Sequence, residues 1–269
     1  MNPDDEPKIY LLPNLMTAGN LFCGFAATLR IIEAALVIQQ GESAVLLYHQ
    51  ALVFILGACV FDLLDGRLAR LGGHESPFGR EFDSLADVVS FGIAPALLVY
   101  QIVLRDFSNT GWLIAFVYLL CGVLRLARFN CYAIANKETS TDDFIGFPIP
   151  AAAGMIASLT LFMLWLEEGS KEIGNWKFAL AGLMLFLSFM MFSHVRYPSF
   201  KGLGWRSQRS LPRFLLIIVV LVVGATFYQW VPAILFVAFL IYGFVRPFIS
   251  KALRREIEDE DDPEEPKSA

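Results

Sequence analysis

Four aspartates stand in a fixed rhythm between two long apolar runs: Asp62, Asp65, Asp83 and Asp87, within DLLDGRLARLGGHESPFGREFDSLAD (62–87). Read as helices, Asp62 and Asp65 are i,i+3 and share one face, while Asp83 and Asp87 are i,i+4 and share another. The intervening LGGHESPFG is short enough to fold the second helix back against the first. Four carboxylates brought that close repel one another, so either some carry protons or cations sit among them. An all-oxygen ligand set suits Mg²⁺ or Mn²⁺, with Ca²⁺ as a further choice. Two such ions bridged by shared carboxylates would clamp a phosphoryl group and stabilise both the attacking and the leaving oxygen. Gly66 and Ala69 let a ligand or a neighbouring helix approach the backbone closely. Arg70, one turn past Gly66, can pair with a phosphate.

The elements that must position these groups are membrane helices. Of the 269 residues, 56% are hydrophobic and only 17% are charged, and the mean hydropathy is +0.56. A soluble domain of this length is not that apolar. Apolar runs near membrane length recur, which predicts an all-α, polytopic transmembrane bundle of about eight helices. They are expected near 13–38, 48–71, 80–104, 111–134, 149–167, 175–196, 211–228 and 231–252. The polar start, MNPDDEPKIYLLPN, lacks the basic region of a cleavable leader, so the first span is expected to stay in place. The chain divides into a short N-terminal segment (1–12), a transmembrane catalytic domain (13–252) and an acidic tail (253–269).

Charge is unevenly spread. The net charge of −5 comes from that tail: eight acids lie between Glu256 and Glu265, whereas residues 1–255 hold 20 basic and 18 acidic side chains. The tail reads as a disordered, solvated end. The connections on one side of the predicted membrane carry only Arg105, Lys171 and Lys177. The other side carries Arg67, Arg70, Arg80, Arg125, Arg128, Arg196 and Lys201, among others. The positive-inside rule places that second side, and the aspartates with it, in the cytoplasm. Cys23, Cys59, Cys121 and Cys131 all fall in apolar stretches without a CxxC pair, so they read as small core residues rather than a disulfide framework.

The aspartate pattern resembles the signature of the CDP-alcohol phosphotransferase family, D-x2-D-G-x2-A-R-x8-G-x3-D-x3-D, with every fixed position present. The resemblance implies a six-helix core over residues 13 to about 200. It also implies transfer of a phosphatidyl group from a CDP-linked lipid to a small alcohol, with release of CMP. By the same resemblance, Asp62 and Asp83 bridge two metals, Asp65 and Asp87 complete one each, and Asp87 deprotonates the acceptor hydroxyl. The family's nucleotide contacts would fall on Gly66, Arg70 and Ser76. Asn14, Thr17 and Asn20 form one polar stripe entering the first span, with Gly24 a turn deeper. That stripe is either an N-cap with ordinary polar packing or, by the resemblance, a cytidine and pyrophosphate contact made by Asn14 and Thr17.

The acceptor is written less plainly. CGVLRLARFN (121–130) puts Arg125 and Arg128 on one helix face, GFPIPAAAG (146–154) is a Pro-broken entry to a small-residue helix, and SHVRYPSFKG (193–202) ends a helix with Arg196 and Lys201. These stretches resemble the phosphatidylserine synthase branch of the family. That resemblance implies CDP-diacylglycerol and L-serine as substrates, an inner-membrane location and a homodimer. Arginine can hold the serine carboxylate in two parallel bonds. The same residues could instead anchor lipid phosphate, and Arg125, Arg128, Arg196 and Lys201 are not separated at this stage. Another acceptor, glycerol 3-phosphate or inositol phosphate, is the nearest alternative. A cation transporter with an aspartate ion site is a more distant one, opposed by an arginine beside the path. No nucleic-acid partner is expected.

Overall fold

The computed structural model describes residues 10–72, 76–135, 143–168, 176–193, 196–198, 227 and 229–245. Helices dominate: α1 (Leu11–Gln39), α2 (Val45–Gly72), α3 (Pro77–Asp87), a π-helical turn (Val88–Ile93), α4 (Ala94–Ile102), a 3-10 turn (Leu104–Thr110), α5 (Gly111–Ala135), α6 (Ile149–Glu168), α7 (Trp176–Phe192) and α8 (Val231–Val245). Two three-residue strands, β1 (Asp143–Ile145) and β2 (Arg196–Pro198), pair antiparallel with Phe144 opposite Tyr197.

Five segments among the described residues are long and apolar enough to cross a membrane: Leu11–Gln39, Val45–Leu68, Pro77–Ile102, Gly111–Tyr132 and Ile149–Leu166. Two shorter apolar helices, Phe178–Phe192 and Val231–Gly243, join them. The fold is therefore an all-α, multi-pass membrane bundle, as its apolar periodicity implies. The expected helix over 211–228 and the acidic tail lie outside the described residues.

Two boundaries differ from expectation for local reasons. The span expected over 80–104 is not one uniform helix: it opens as α3, widens into the π turn directly after Asp87, and resumes as α4. Pro95 lies four residues past Phe91, has no N–H to give the Phe91 carbonyl, and its ring crowds that carbonyl in a regular α-helix. The Tyr118 hydroxyl donates to Phe91 O instead, at 3.0 Å. The helix expected to run to residue 196 ends at Phe192, and Arg196 lies in β2, in extended backbone.

Small residues set the helix spacing. A Cβ at Gly24 would collide with the backbone of Ser90, so α1 lies directly on the π turn, where Ser90 Oγ donates to Asn20 O at 2.9 Å. Ala151, Ala152, Ala153 and Ala157 of α6 are buried, and a Cβ at Gly154 would strike the Phe236 ring of α8. Membrane helices associate by such close packing, because lipid offers no hydrophobic drive between them.

Candidate functional site

Helix α3 begins at a built-in cap. Ser76 precedes Pro77 at the first helical position, and its Oγ accepts from Gly79 N at 3.0 Å. Serine then proline is a strong start signal, since one satisfies an orphan N–H and the other has none to satisfy. The first turn runs close to α1: a Cβ at Gly79 would lie 3.3 Å from Asn14 Oδ1. Starting there, α3 carries Asp83 and Asp87 on the face turned to the end of α2.

Three of the four carboxylates converge, and Asp65 is not in the group. Oxygens of Asp62, Asp83 and Asp87 lie within 4.8 Å of one another. Asp65 and Asp87 are buried, each 5% exposed. Helix α1 supports both of them. Thr17 Oγ1 donates to Asp65 Oδ2 at 3.0 Å, and Asn20 Nδ2 donates to Asp87 Oδ1 at 3.0 Å. The polar stripe on the first span therefore meets the carboxylates, one stripe residue per aspartate. Asp83 Oδ1 is buried with no hydrogen-bond partner among the described residues. Three clustered carboxylates with an unpartnered buried oxygen fit a divalent cation, and the donor set, oxygen throughout, is of the right type for one.

Across from this wall, α5 runs antiparallel to α3. Tyr118 meets Phe91, Leu119 crowds Gly92, and Asn130 Nδ2 donates to Ser84 Oγ at 3.0 Å and Glu81 Oε1 at 3.4 Å. That register sets Arg125 opposite the aspartates, with Asp87 and Asp62 within electrostatic range. Arg125 is 7% exposed. Among the described residues no hydrogen bond or ion pair reaches its guanidinium, and its Nε is buried without a partner.

Arg128, one turn on, is engaged elsewhere. Its Nη1 donates to Phe192 O at 3.1 Å, and its Nη2 donates to Met191 O at 3.4 Å and Ser193 O at 3.5 Å. The guanidinium also lies 5.5 Å from the centre of the Phe192 ring. These carbonyls are the ones a helix C-terminus leaves without internal donors, and a cation suits that end of the helix dipole. The chain leaving β1 completes the cap: Phe147 N donates to Met190 O at 3.1 Å. Gly146, with φ +85, sits where a Cβ would collide with Met191 O and lie 2.9 Å from Arg128 Nη2.

The remaining sequence candidates are placed as follows. Gly66 is in the interior of α2, half-buried. Arg70 lies in the last turn of α2 and Arg196 in β2, but the side chains of both, and Lys201 altogether, lie outside the described residues. Asn14 Nδ2 is buried without a partner among the described residues, a donor held at the start of α1. The structure adds residues that spacing did not single out as site residues: Asn20, which holds Asp87; Asn130, Ser84 and Glu81, which join α5 to α3; and Tyr118, which supports the π turn. Of these only Asn20 carried a usable signal, its three-residue spacing from Thr17.

Comparisons agree with this picture. A family model described as CDP-alcohol phosphatidyltransferase matches residues 10–192, from the start of α1 to the end of α7. The chain is 34% identical over 240 residues to a CDP-diacylglycerol–serine O-phosphatidyltransferase of Helicobacter pylori, covering 88% of this chain and 91% of that relative. It is 34% identical over 206 residues to an archaetidylserine synthase of Methanothermobacter thermautotrophicus, covering 76% of each. A Bacillus subtilis CDP-diacylglycerol–serine O-phosphatidyltransferase is 33% identical over 193 residues, which is 71% of this chain and 91% of the relative.

Proposed function

The chain belongs to the CDP-alcohol phosphatidyltransferase family, and from that premise we propose that it transfers the phosphatidyl group of CDP-diacylglycerol to L-serine, giving phosphatidylserine and CMP. The observation that carries the reading is a buried arginine without a hydrogen-bond partner among the described residues, Arg125, set across from converging aspartates. Burying hydrogen-bond donors without an acceptor is costly, so a guanidinium kept in that state is one that meets its partner from outside. The relatives' names share serine and differ in the lipid, in keeping with an acceptor site that reads an amino acid.

Asp62, Asp83 and Asp87, with Asp65 beside them, would hold divalent cations, Mg²⁺ or Mn²⁺, which would supply the charge that neutralises the pyrophosphate and the departing CMP. Asp87 takes the proton of the serine hydroxyl. Asn20 holds its Oδ1, which leaves Oδ2 to receive that proton. The serine oxygen forms its bond to the β-phosphorus as the bond to CMP breaks in line. Arg125 holds the serine carboxylate in a bidentate pair, placing the hydroxyl near Asp87. Asn14, Thr17, Gly66 and Arg70 would serve the nucleotide; Ser76 contributes by starting α3. Arg128 acts as a brace on α7, and lipid phosphate falls to Arg196 and Lys201. Residues 13–252 form one catalytic membrane unit flanked by 1–12 and the acidic 253–269. It works as a homodimer in the inner membrane, and the basic residues near the aspartates support a site facing the cytoplasm.

The test is purified protein with CDP-diacylglycerol and a panel of serine, glycerol 3-phosphate and inositol phosphate, read by CMP release. Serine alone should support turnover. Release with a phosphorylated polyol and none with serine would move the chain to another acceptor.

A further inference from the structure

Five of the eight buried side-chain atoms without partners among the described residues belong to one end of the bundle: Asn14 Nδ2, Asn20 Oδ1, Asp83 Oδ1, Arg125 Nε and Asn130 Oδ1. Asn130 is the one whose orientation can be argued from its neighbours. Ser84 Oγ donates its only proton to Arg80 O at 3.0 Å, so toward Asn130 it can only accept. The Glu81 carboxylate is also an acceptor. Both therefore require the amide nitrogen of Asn130, and both receive it. The amide oxygen is then the atom of the group left over, buried with nothing among the described residues to accept from. Glu81 has no other partner among the described residues, and no cation there pairs with it. Two acceptors, one of them charged, thus stand on the α3–α5 seam. On the same seam, five residues before Asn130, Arg125 offers only donors.

We propose that this seam reads both charges of an α-amino acid: Arg125 takes the carboxylate, and Asn130 Oδ1 with Glu81 takes the ammonium. The inference rests on the serine reading above and deepens it, since a carboxylate site alone would not distinguish serine from a plain hydroxy acid. An ammonium needs three acceptors and tolerates no unpaired donor nearby. The amide oxygen supplies one acceptor without charge, and Glu81 supplies one with it. A hydroxy acid lacking the amine leaves Asn130 Oδ1 buried and unsatisfied, which penalises it. Ser84 is a positioning residue here, because it fixes the orientation of the Asn130 amide and touches no substrate atom; Asn130 and Glu81 are binding residues.

The experiment uses the full chain and compares L-serine with 3-hydroxypropionate, which is serine without its amine. The reading beneath is checked first: the parent must release CMP with serine. With that in hand, the KM for serine and the competition constant of 3-hydroxypropionate against serine are measured for the parent, Glu81→Gln and Asn130→Leu. Each variant should raise the serine KM about ten-fold, the loss of one hydrogen bond to a charged group. Neither should change the 3-hydroxypropionate constant by more than about two-fold, nor the KM for CDP-diacylglycerol. Glu81→Gln keeps the shape and can still accept from an amine and bond to Asn130, so it guards against a folding artefact in Asn130→Leu. Equal losses for serine and 3-hydroxypropionate would overturn the ammonium site while leaving the serine activity standing. An unchanged serine KM in both variants would overturn it as well.

Discussion

The two walls of the site treat buried charge in opposite ways. On the wall made by α1, α2 and α3, the two deepest carboxylates have help from a neighbouring helix: Thr17 donates to Asp65 and Asn20 to Asp87. On the α5 wall two arginines stand one turn apart with contrasting company. Arg128 is spent on the carbonyls at the end of α7, whereas Arg125 has no protein partner among the described residues. Crowded like charges need neutral donors to hold their geometry, so their support is built in. A lone cation opposite them needs none to keep its place, and stays open to an anion. The difference teaches that sharing a helix face does not make two residues equivalent: what the face meets decides.

The largest expected effect strikes the acidic wall. Asp87→Asn keeps the shape and the reach of Asn20 but removes the proton acceptor, and Asp62→Asn removes charge shared by the cluster. Either should lower CMP release by roughly 10³-fold or more, the range for losing a general base together with a metal ligand. Adding Mg²⁺ or Mn²⁺ should not restore it. Normal turnover of Asp62→Asn in chelator-treated buffer would show that the acidic wall does not work through metal.

The next effect separates the arginines. Arg125→Met should cost about 10²-fold or more in kcat/KM for serine, in line with losing a buried, charge-assisted pair. Its thermal stability should hold or rise, because a buried guanidinium without a hydrogen-bond partner among the described residues is replaced by an apolar side chain. Arg128→Met should do the reverse. It strips donors from the end of α7 and should destabilise the fold by about 1–3 kcal/mol. The KM for serine should then change little in the protein that remains folded. Melting curves and serine titrations on the pair decide the matter, and a stability loss in Arg125→Met matching that of Arg128→Met would erase the contrast.

A smaller effect tests the support given by α1. Thr17→Val keeps the shape but removes the donor to Asp65. The metal concentration needed for half-maximal activity should rise about 10-fold, the low end for losing a group that orients a ligand. A metal titration that superimposes on the parent would confine Thr17 to packing. Smallest is Tyr118→Phe, which leaves the Phe91 carbonyl without its hydroxyl donor. It should cost about 1–2 kcal/mol of stability and leave both KM values near the parent's. A shift in serine KM there would mean the π turn also shapes the acceptor side.

Much of this site is legible in the chain itself. Asp62, Asp65, Asp83 and Asp87 follow helical spacing, and the Ser76–Pro77 start places the second pair one helix on from the first. Membrane spans follow from apolar length alone, because lipid forces each backbone segment to satisfy its own hydrogen bonds. The short signature already resembles the family whose model matches residues 10–192. Thr17 and Asn20 were visible as a stripe, but what the stripe meets was not.

What remained for the tertiary structure was the pairing of faces. Arg125 and Arg128 share a face in sequence, and only the packing of α5 between α3 and α7 gives one an open neighbour and the other a helix end. The turn after Asp87 widens because Pro95 cannot serve Phe91 and a tyrosine from another helix can. The extended course of Arg196 depends on β1, some fifty residues earlier in the chain. Periodicity along a helix specifies which residues point together, since 3.6 residues per turn is a property of the local backbone. What they point at is set by contacts between residues far apart in the chain, and no local spacing encodes those.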